Sequence, residues 1–278
     1  MGFIDVAKRA LRYIVRGVPV VQTFAKIDYL TPSGLLKDKR IIITGGGRGL
    51  GYSMAKKFVS EGAEVLIVGR NEDTLKKASK ELSCKYLVYD VSNISGCDSF
   101  IQKADQMLGG VNCLVNNAGV SLHENGFLDV TPQQYDEQFN INLKGPFFLT
   151  QAFIRYCVSI KREEINRILC VSSETGMTVD ERPYGLTKAA LNSLVQGLAC
   201  RFVKDNFRIN AIAPGITASS MTGYNPEGDL FLSLNPSNRV FLPDEVAEIA
   251  TFLLCDASSL LNGQIIYTNE GRTINTRW

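Results

Sequence analysis

Tyr184 and Lys188 stand four residues apart in the stretch Arg182-Pro-Tyr-Gly-Leu-Thr-Lys188, a spacing that sets both side chains on one face of a helix. A phenol is a poor proton-transfer group at its ordinary pKa of about 10. A fixed ammonium beside it is expected to lower that value, so that it exchanges a proton near neutral pH. Upstream, Thr44-Gly-Gly-Gly-Arg-Gly-Leu-Gly51 puts glycines where a strand should turn into a helix. Lacking a Cβ, Gly45, Gly49 and Gly51 allow tight backbone angles. They let a pyrophosphate reach the helix N-terminus, where unpaired N–H groups and the helix dipole favour anions. Gly46, Gly47, Arg48 and Leu50 complete that expected cradle. Together the two motifs predict hydride chemistry on a carbonyl or alcohol.

The second strand ends in Val68-Gly69-Arg70. Sites that select NAD usually carry a carboxylate here to hold the ribose hydroxyls, and Gly69 supplies none. Arg70 and Arg48 are both placed to grip a 2′-phosphate through fork-shaped, charge-assisted hydrogen bonds. NADP(H) is therefore the preferred cofactor, with NAD(H) as the alternative.

The elements that must position these groups alternate regularly. Arg40 to Thr44 is a β-branched run ending in glycine, as in a buried parallel strand. A helix is expected over Leu50 to Glu61, a strand over Val65 to Val68, a helix over Glu72 to Leu82 and a strand over Tyr86 to Tyr89. Strands follow at Cys113 to Asn116, Ile168 to Val171, Arg208 to Ala213 and Gln264 to Thr268, with helices at Thr187 to Val203 and Pro243 to Leu254. Thr131-Pro-Gln-Gln134 reads as a capped helix start, and Gly145-Pro146 as a bend. Residues 219–238 read as an irregular loop or lid. This order implies right-handed crossovers and an α/β fold: a doubly wound, seven-stranded parallel sheet in a single domain.

A formal net charge of +2, with no basic stripe, argues against nucleic acid as a partner. Seven scattered cysteines, without CxxC or Cys/His spacing, argue against a metal site and fit a reducing, cytoplasmic setting. The single histidine, His123, has no partners for a triad and reads as a loop residue. Over the first sixteen residues Phe3, Ala7, Leu11 and Ile14 recur at helical spacing, opposite Asp5, Arg9, Arg12 and Arg16. Residues 1–36 are thus expected to be an amphipathic extension ahead of a catalytic domain at 37–278. Docking on protein is the preferred reading; a transit peptide, or a peripheral membrane contact by residues 1–30, stays open.

From Lys37 to about Gly271 the chain resembles the short-chain dehydrogenase/reductase family. Thr44-Gly-x-x-x-Gly-x-Gly51 looks like its cofactor turn, Asp90-Val91 like its adenine-contacting pair, and Asn116-Asn-Ala-Gly119 like its fourth-strand motif. Asn142, Ser173, Tyr184 and Lys188 match its four catalytic positions, and Pro214-Gly215 the turn that borders the nicotinamide. The resemblance implies that Asn117, Ala118 and Gly119 support the adenosine side, that Ile216 holds the carboxamide through its backbone, and that Ser219 lies near the nicotinamide and diphosphate. Tyr184 would give a proton to a developing alkoxide that Ser173 also hydrogen-bonds. Lys188 would lower the tyrosine pKa and bind ribose, and Asn142 would position a water linking Lys188 to solvent. It further implies a homodimer or homotetramer through the long helices after strands four and five. Asn116 reads as structural, its amide tying neighbouring strands.

Three features depart from the family pattern. The interval from Ser173 to Tyr184 is about two residues shorter than usual, which leaves Ser172 as a rival hydroxyl. Tyr267-Thr-Asn-Glu-Gly271 replaces the common Asp-Gly-Gly ending, and the N-terminal extension has no counterpart. A catalytically silent, NADP-binding regulatory or scaffold protein on the same fold is the alternative function. Such a protein would need the pocket but not the proton relay.

Overall fold

The structure, a computed structural model, describes residues 34–161 and 163–274. The expectation for residues 1–33 lies outside them.

Seven strands pair in parallel throughout: β1 (Arg40–Thr44), β2 (Glu64–Gly69), β3 (Lys85–Val88), β4 (Cys113–Asn116), β5 (Asn166–Val171), β6 (Phe207–Pro214) and β7 (Ile265–Thr268). Their order is β3-β2-β1-β4-β5-β6-β7. The chain builds outward from β1 to β3, crosses back to lay β4 beside β1, and builds outward the other way. That reversal opens a crevice at the carboxyl ends of β1 and β4, where doubly wound sheets bind ligands.

Among the described residues, seven α-helices cover the two faces: α1 (Gly49–Ser60), α2 (Glu72–Leu82), α3 (Cys97–Leu108), α4 (Pro132–Phe139), α5 (Gly145–Ser159), α6 (Pro183–Phe202) and α7 (Pro243–Leu254). Because side chains alternate along a strand, Ile41 and Ile43 enter a core with Met54 and Phe58 of α1 and Ala250 and Leu254 of α7. Ile42 faces the opposite way, into a core with Phe100 of α3, Phe153 of α5 and Leu191 of α6. Burial on both faces is why these strands read as unbroken apolar runs.

The structure departs from the sequence expectation at three elements. Helix α3 was not anticipated, although Cys97, Phe100, Ile101, Ala104 and Leu108 are buried at helical spacing. Helix α6 starts at Pro183, four residues before the expected Thr187, because proline is well suited to a first helical turn. Tyr184 therefore sits inside that turn. The bend expected at Gly145-Pro146 is a π-helical turn over Asn140–Lys144, joining α4 to α5. Pro146 has no N–H for the carbonyl of Asn142, so regular α-helix cannot run through this point.

The capping box is present as read: Thr131 Oγ1 accepts from Gln134 N at 3.2 Å, and Gln134 Oε1 accepts from Thr131 N at 2.9 Å. Residues 219–238 form an irregular loop, held by a small core of Ala218, Leu230 and Val240. Among the described residues no helix is long and apolar enough to cross a membrane.

Candidate active site

A cavity of about 1150 Å³ opens at the carboxyl ends of the strands. At one end lies the glycine turn. Gly45 and Gly49 take positive φ, at 68° and 54°. A Cβ on Gly51 would run into the carbonyl of Gly45 and lie 2.5 Å from Asn117 Nδ2. The turn is clasped to the exit of β4: Thr44 Oγ1 accepts from Asn117 N and Ala118 N, both at 3.0 Å, and Asn117 Nδ2 donates to Thr44 O at 2.8 Å and to Gly45 O at 3.2 Å. Helix α1 begins at this turn with no side-chain cap, so its N-terminus presents backbone N–H groups to the cavity. An uncapped helix start within a glycine cradle fits a pyrophosphate.

Gly45, Gly47, Arg48, Gly49, Leu50 and Gly51 all line this end, as do Asp90, Val91 and Arg70. Gly46, also expected in the cradle, faces the sheet instead of the cavity wall. A Cβ there would meet Ile67 at 2.8 Å and Ile43 at 3.1 Å, so Gly46 is required for packing on the sheet. Arg70 is 62% exposed and 4.0 Å from the Asp90 carboxylate. Asp90 is itself held by the backbone N–H and hydroxyl of Ser92. Asn117, Ala118, Gly119, Pro214, Gly215 and Ile216 line the middle, and Ser219 closes over the glycine turn, its Cβ 4.0 Å from where a side chain on Gly49 would begin.

At the other end Ser173, Tyr184 and Lys188 come together. Ser173 follows β5 and caps a short 3-10 turn (Glu174–Gly176), its Oγ accepting from Thr175 N at 3.3 Å. Ser172 is buried, and its hydroxyl donates to the carbonyl of Lys188 at 3.4 Å. That bond ties β5 to α6 and favours Ser173 as the hydroxyl available to a ligand. Lys188 donates to Val171 O at 2.9 Å, and its ammonium lies 5.5 Å from the centre of the Tyr184 ring.

The electrostatics correct the expected effect of lysine on tyrosine. Burial pushes the Tyr184 phenol up, the Glu174 carboxylate adds to the rise, and hydrogen bonding to Ser173 opposes it. Burial also pulls Lys188 down to about 8. Asn142 does not line the cavity. It is buried behind Gly119, with Oδ1 accepting from Val120 N and Nδ2 donating to Val120 O, both at 2.8 Å. A Cβ on Gly119 would touch both Asn142 Oδ1, at 3.3 Å, and Lys188 Nζ, at 3.6 Å. Asn116 donates to Thr150 Oγ1 at 2.8 Å and reaches Cys170 Sγ at 3.7 Å, tying β4 to α5 and β5 as its structural reading required.

Sequence reasoning missed Arg272, which lines the same cavity. Its partner Glu174 is 98 residues away, a separation that carries no spacing signal.

A family model described as enoyl-(acyl carrier protein) reductase matches residues 45–273. The chain belongs to the short-chain dehydrogenase/reductase family and is an NAD(P)-dependent oxidoreductase acting on CH-OH or carbonyl groups. It is 30% identical to a 3α-hydroxysteroid dehydrogenase of Mediterraneibacter gnavus, over 84% of this chain and 96% of that protein. It is 31% identical to the 3-oxoacyl-(acyl-carrier-protein) reductase FabG of Aquifex aeolicus, over 85% and 98%. The crystal structure of gox2181 superposes with a TM-score of 0.79 at 30% identity, covering 87% of this chain and 99% of that one.

Proposed function

We propose that this protein is an NADP(H)-dependent oxidoreductase that interconverts a carbonyl and a secondary alcohol, with Tyr184 as its acid–base group. One observation carries the reading: Ser173, Tyr184 and Lys188 converge in the cavity whose far end is the uncapped glycine turn. The bound nicotinamide nucleotide supplies or accepts the hydride.

Ser173 and Tyr184 offer two hydroxyls to one substrate oxygen, stabilising charge where it develops. A phenol pushed up by burial keeps its proton at neutral pH, which suits proton donation during reduction. Lys188, partly protonated near pH 8, binds the ribose hydroxyls and returns a proton to the phenolate left after the alkoxide is protonated. Asn142, buried behind Gly119, acts through the Val120 backbone that it holds, positioning a water that connects Lys188 to solvent. Arg48 and Arg70, both exposed at the adenosine end, hold the 2′-phosphate of NADP(H) in preference to NAD(H).

An apolar groove between α5 and α6, with Phe147, Ile154, Val158, Leu194, Leu198 and Phe202, supports a homodimer or homotetramer through these helices. The scattered free cysteines fit a reducing cytoplasmic setting. The relatives named above point to different substrates, a hydroxysteroid and a 3-oxoacyl carrier protein, so this reading commits only to a small-molecule carbonyl or alcohol.

The test is NADPH oxidation with a panel of carbonyl compounds, comparing wild type with Tyr184→Phe. Turnover that depends on Tyr184 supports the reading, and equal activity in the two refutes the role of Tyr184. Tight NADPH binding without turnover on any carbonyl would instead indicate a silent nucleotide-binding protein.

A further inference from the structure

After β7 the chain makes a tight turn, with Glu270 and Gly271 at positive φ of 53° and 77°, and returns Arg272 to the wall of the cavity. The turn is built on Asn269, which is 1% exposed. Asn269 Oδ1 accepts from Gly271 N at 3.1 Å, and its carbonyl accepts from Arg272 N at 3.0 Å. Its Nδ2 donates to Glu174 Oε2 at 3.1 Å and to Thr273 Oγ1 at 2.9 Å. Arg272 closes the arrangement with both arms of its guanidinium, Nε donating to Glu174 Oε2 at 3.1 Å and Nη2 to Oε1.

Glu174 is the residue after Ser173 and is 3% exposed. A carboxylate so buried is tolerated only when paired and hydrogen-bonded. Here every partner comes from one turn at the far end of the chain. The turn also explains the departure from an Asp-Gly-Gly ending: a carboxylate at position 269 would face that of Glu174, whereas the Asn269 amide donates to it.

Around the Tyr184 end of the cavity, neighbouring polar and charged side chains have partners of their own. Arg182 pairs with Asp180 at 3.0 Å, His123 Nε2 bonds the carbonyl of Met221 at 2.8 Å, Glu124 accepts from Gln138, and Lys188 from the same helix as Tyr184 bonds Val171 O. Glu174 is thus the acidic group whose compensation depends on Arg272.

We propose that Arg272 is a positioning residue for the reaction, its guanidinium holding and neutralising the Glu174 carboxylate so that the adjoining Ser173–Tyr184 pair works beside a compensated charge. The proposal rests on the reading of Tyr184 as the acid–base group. The direction of the Glu174 influence on the phenol, which is upward, is consistent with it.

The test is the pH profile of kcat for alcohol oxidation, where the phenol must lose its proton, with NADP+ and the alcohol corresponding to the best carbonyl of the panel. Arg272→Gln leaves the carboxylate uncompensated and is expected to raise the limiting ionisation by about one unit, with KM for NADP+ unchanged. Glu174→Gln leaves the guanidinium uncompensated and shifts the ionisation down; it keeps the proposal testable should Arg272→Gln fail to fold. The double variant Glu174→Gln/Arg272→Gln returns the ionisation towards the wild-type value. A wild-type profile in either single variant, or a double variant that keeps the shift of Arg272→Gln, would overturn the proposal by showing that the turn acts only as a structural tether. Tyr184→Phe is measured alongside. If it retains turnover, the underlying reading fails; if it is inactive while the Arg272→Gln profile matches wild type, only the present inference fails.

Discussion

Gly51→Ala is a sharp test of the cofactor turn, because the added methyl has nowhere to go. Its Cβ would overlap the carbonyl oxygen of Gly45, approach the carbonyl carbon to 2.9 Å and lie 2.5 Å from Asn117 Nδ2. Two of these three atoms are backbone, and the third is the amide that clasps the turn to β4. Forced displacement of packed atoms costs roughly 1–3 kcal/mol, and loosening the Asn117 clasp adds about 1 kcal/mol. The sum, about 3 kcal/mol, corresponds to a melting point lower by roughly 6–12 °C for a domain of this size. Nucleotide affinity should fall on the order of a hundredfold, since a displaced turn loses charge-assisted bonds to phosphate. Gly49→Ala is the control: its φ is 54°, but the nearest atom beyond its neighbours is Ser219 Cβ at 4.0 Å. Left-handed strain alone costs roughly 1–2 kcal/mol, so its melting point should fall less. Thermal melts and fluorescence titration with NADPH read both quantities. Gly51→Ala with wild-type melting and wild-type affinity would refute the reasoning.

Arg48→Ala/Arg70→Ala should weaken NADP(H) binding roughly tenfold, the sum of two exposed contacts of under about 1 kcal/mol each, while sparing NAD(H); equal loss for both nucleotides would contradict the assigned preference. Lys188 is buried and its pKa is pulled from 10.5 to about 8, so the unfolded chain binds the extra proton between these values and stability rises with pH across that window. Lys188→Met removes this rise. Its stability relative to wild type should therefore be greatest below pH 8 and decline by on the order of 3 kcal/mol towards pH 10.5, and a pH-independent difference in urea unfolding would contradict it. Ser173→Ala should lower turnover about a hundredfold or more with little change in melting. Ser172→Ala should instead cost about 1 kcal/mol of stability through its bond to the Lys188 carbonyl while keeping most turnover, and the reverse pattern would exchange the two roles.

Much of the fold was legible because its signals are local. β1 reads as three consecutive isoleucines buried on both faces, and α4 announces itself through a Thr131–Gln134 box whose two bonds are both made. Helix α3 escaped because the turn-like residues from Asp90 to Gly96 mask the period that begins at Cys97. The expected start at Thr187 is four residues late because Pro183 is itself a first helical residue, its missing N–H costing nothing in the first turn. Within the site, the glycine turn and the Tyr184–Lys188 spacing were readable, since both are set by backbone geometry within one or two turns. Gly46 looked like its neighbours, yet only the packing of Ile43 and Ile67 shows which face it serves. The sign of the Tyr184 shift was likewise beyond the sequence: proximity of a cation can be read from i and i+4, but desolvation depends on everything that covers the pair. Glu174 and Arg272 meet only because β7 lies beside β6 at the edge of the sheet and the Asn269 turn folds back over the cavity.

The most direct test of Tyr184 as the proton donor is a single-turnover measurement of NADPH consumption, with enzyme in excess over a carbonyl substrate, on wild type and Tyr184→Phe. We predict that the variant binds NADPH with wild-type affinity but loses the fast phase by about a thousandfold, within the range general acid catalysis supplies. Hydride transfer in Tyr184→Phe within tenfold of wild type would contradict it.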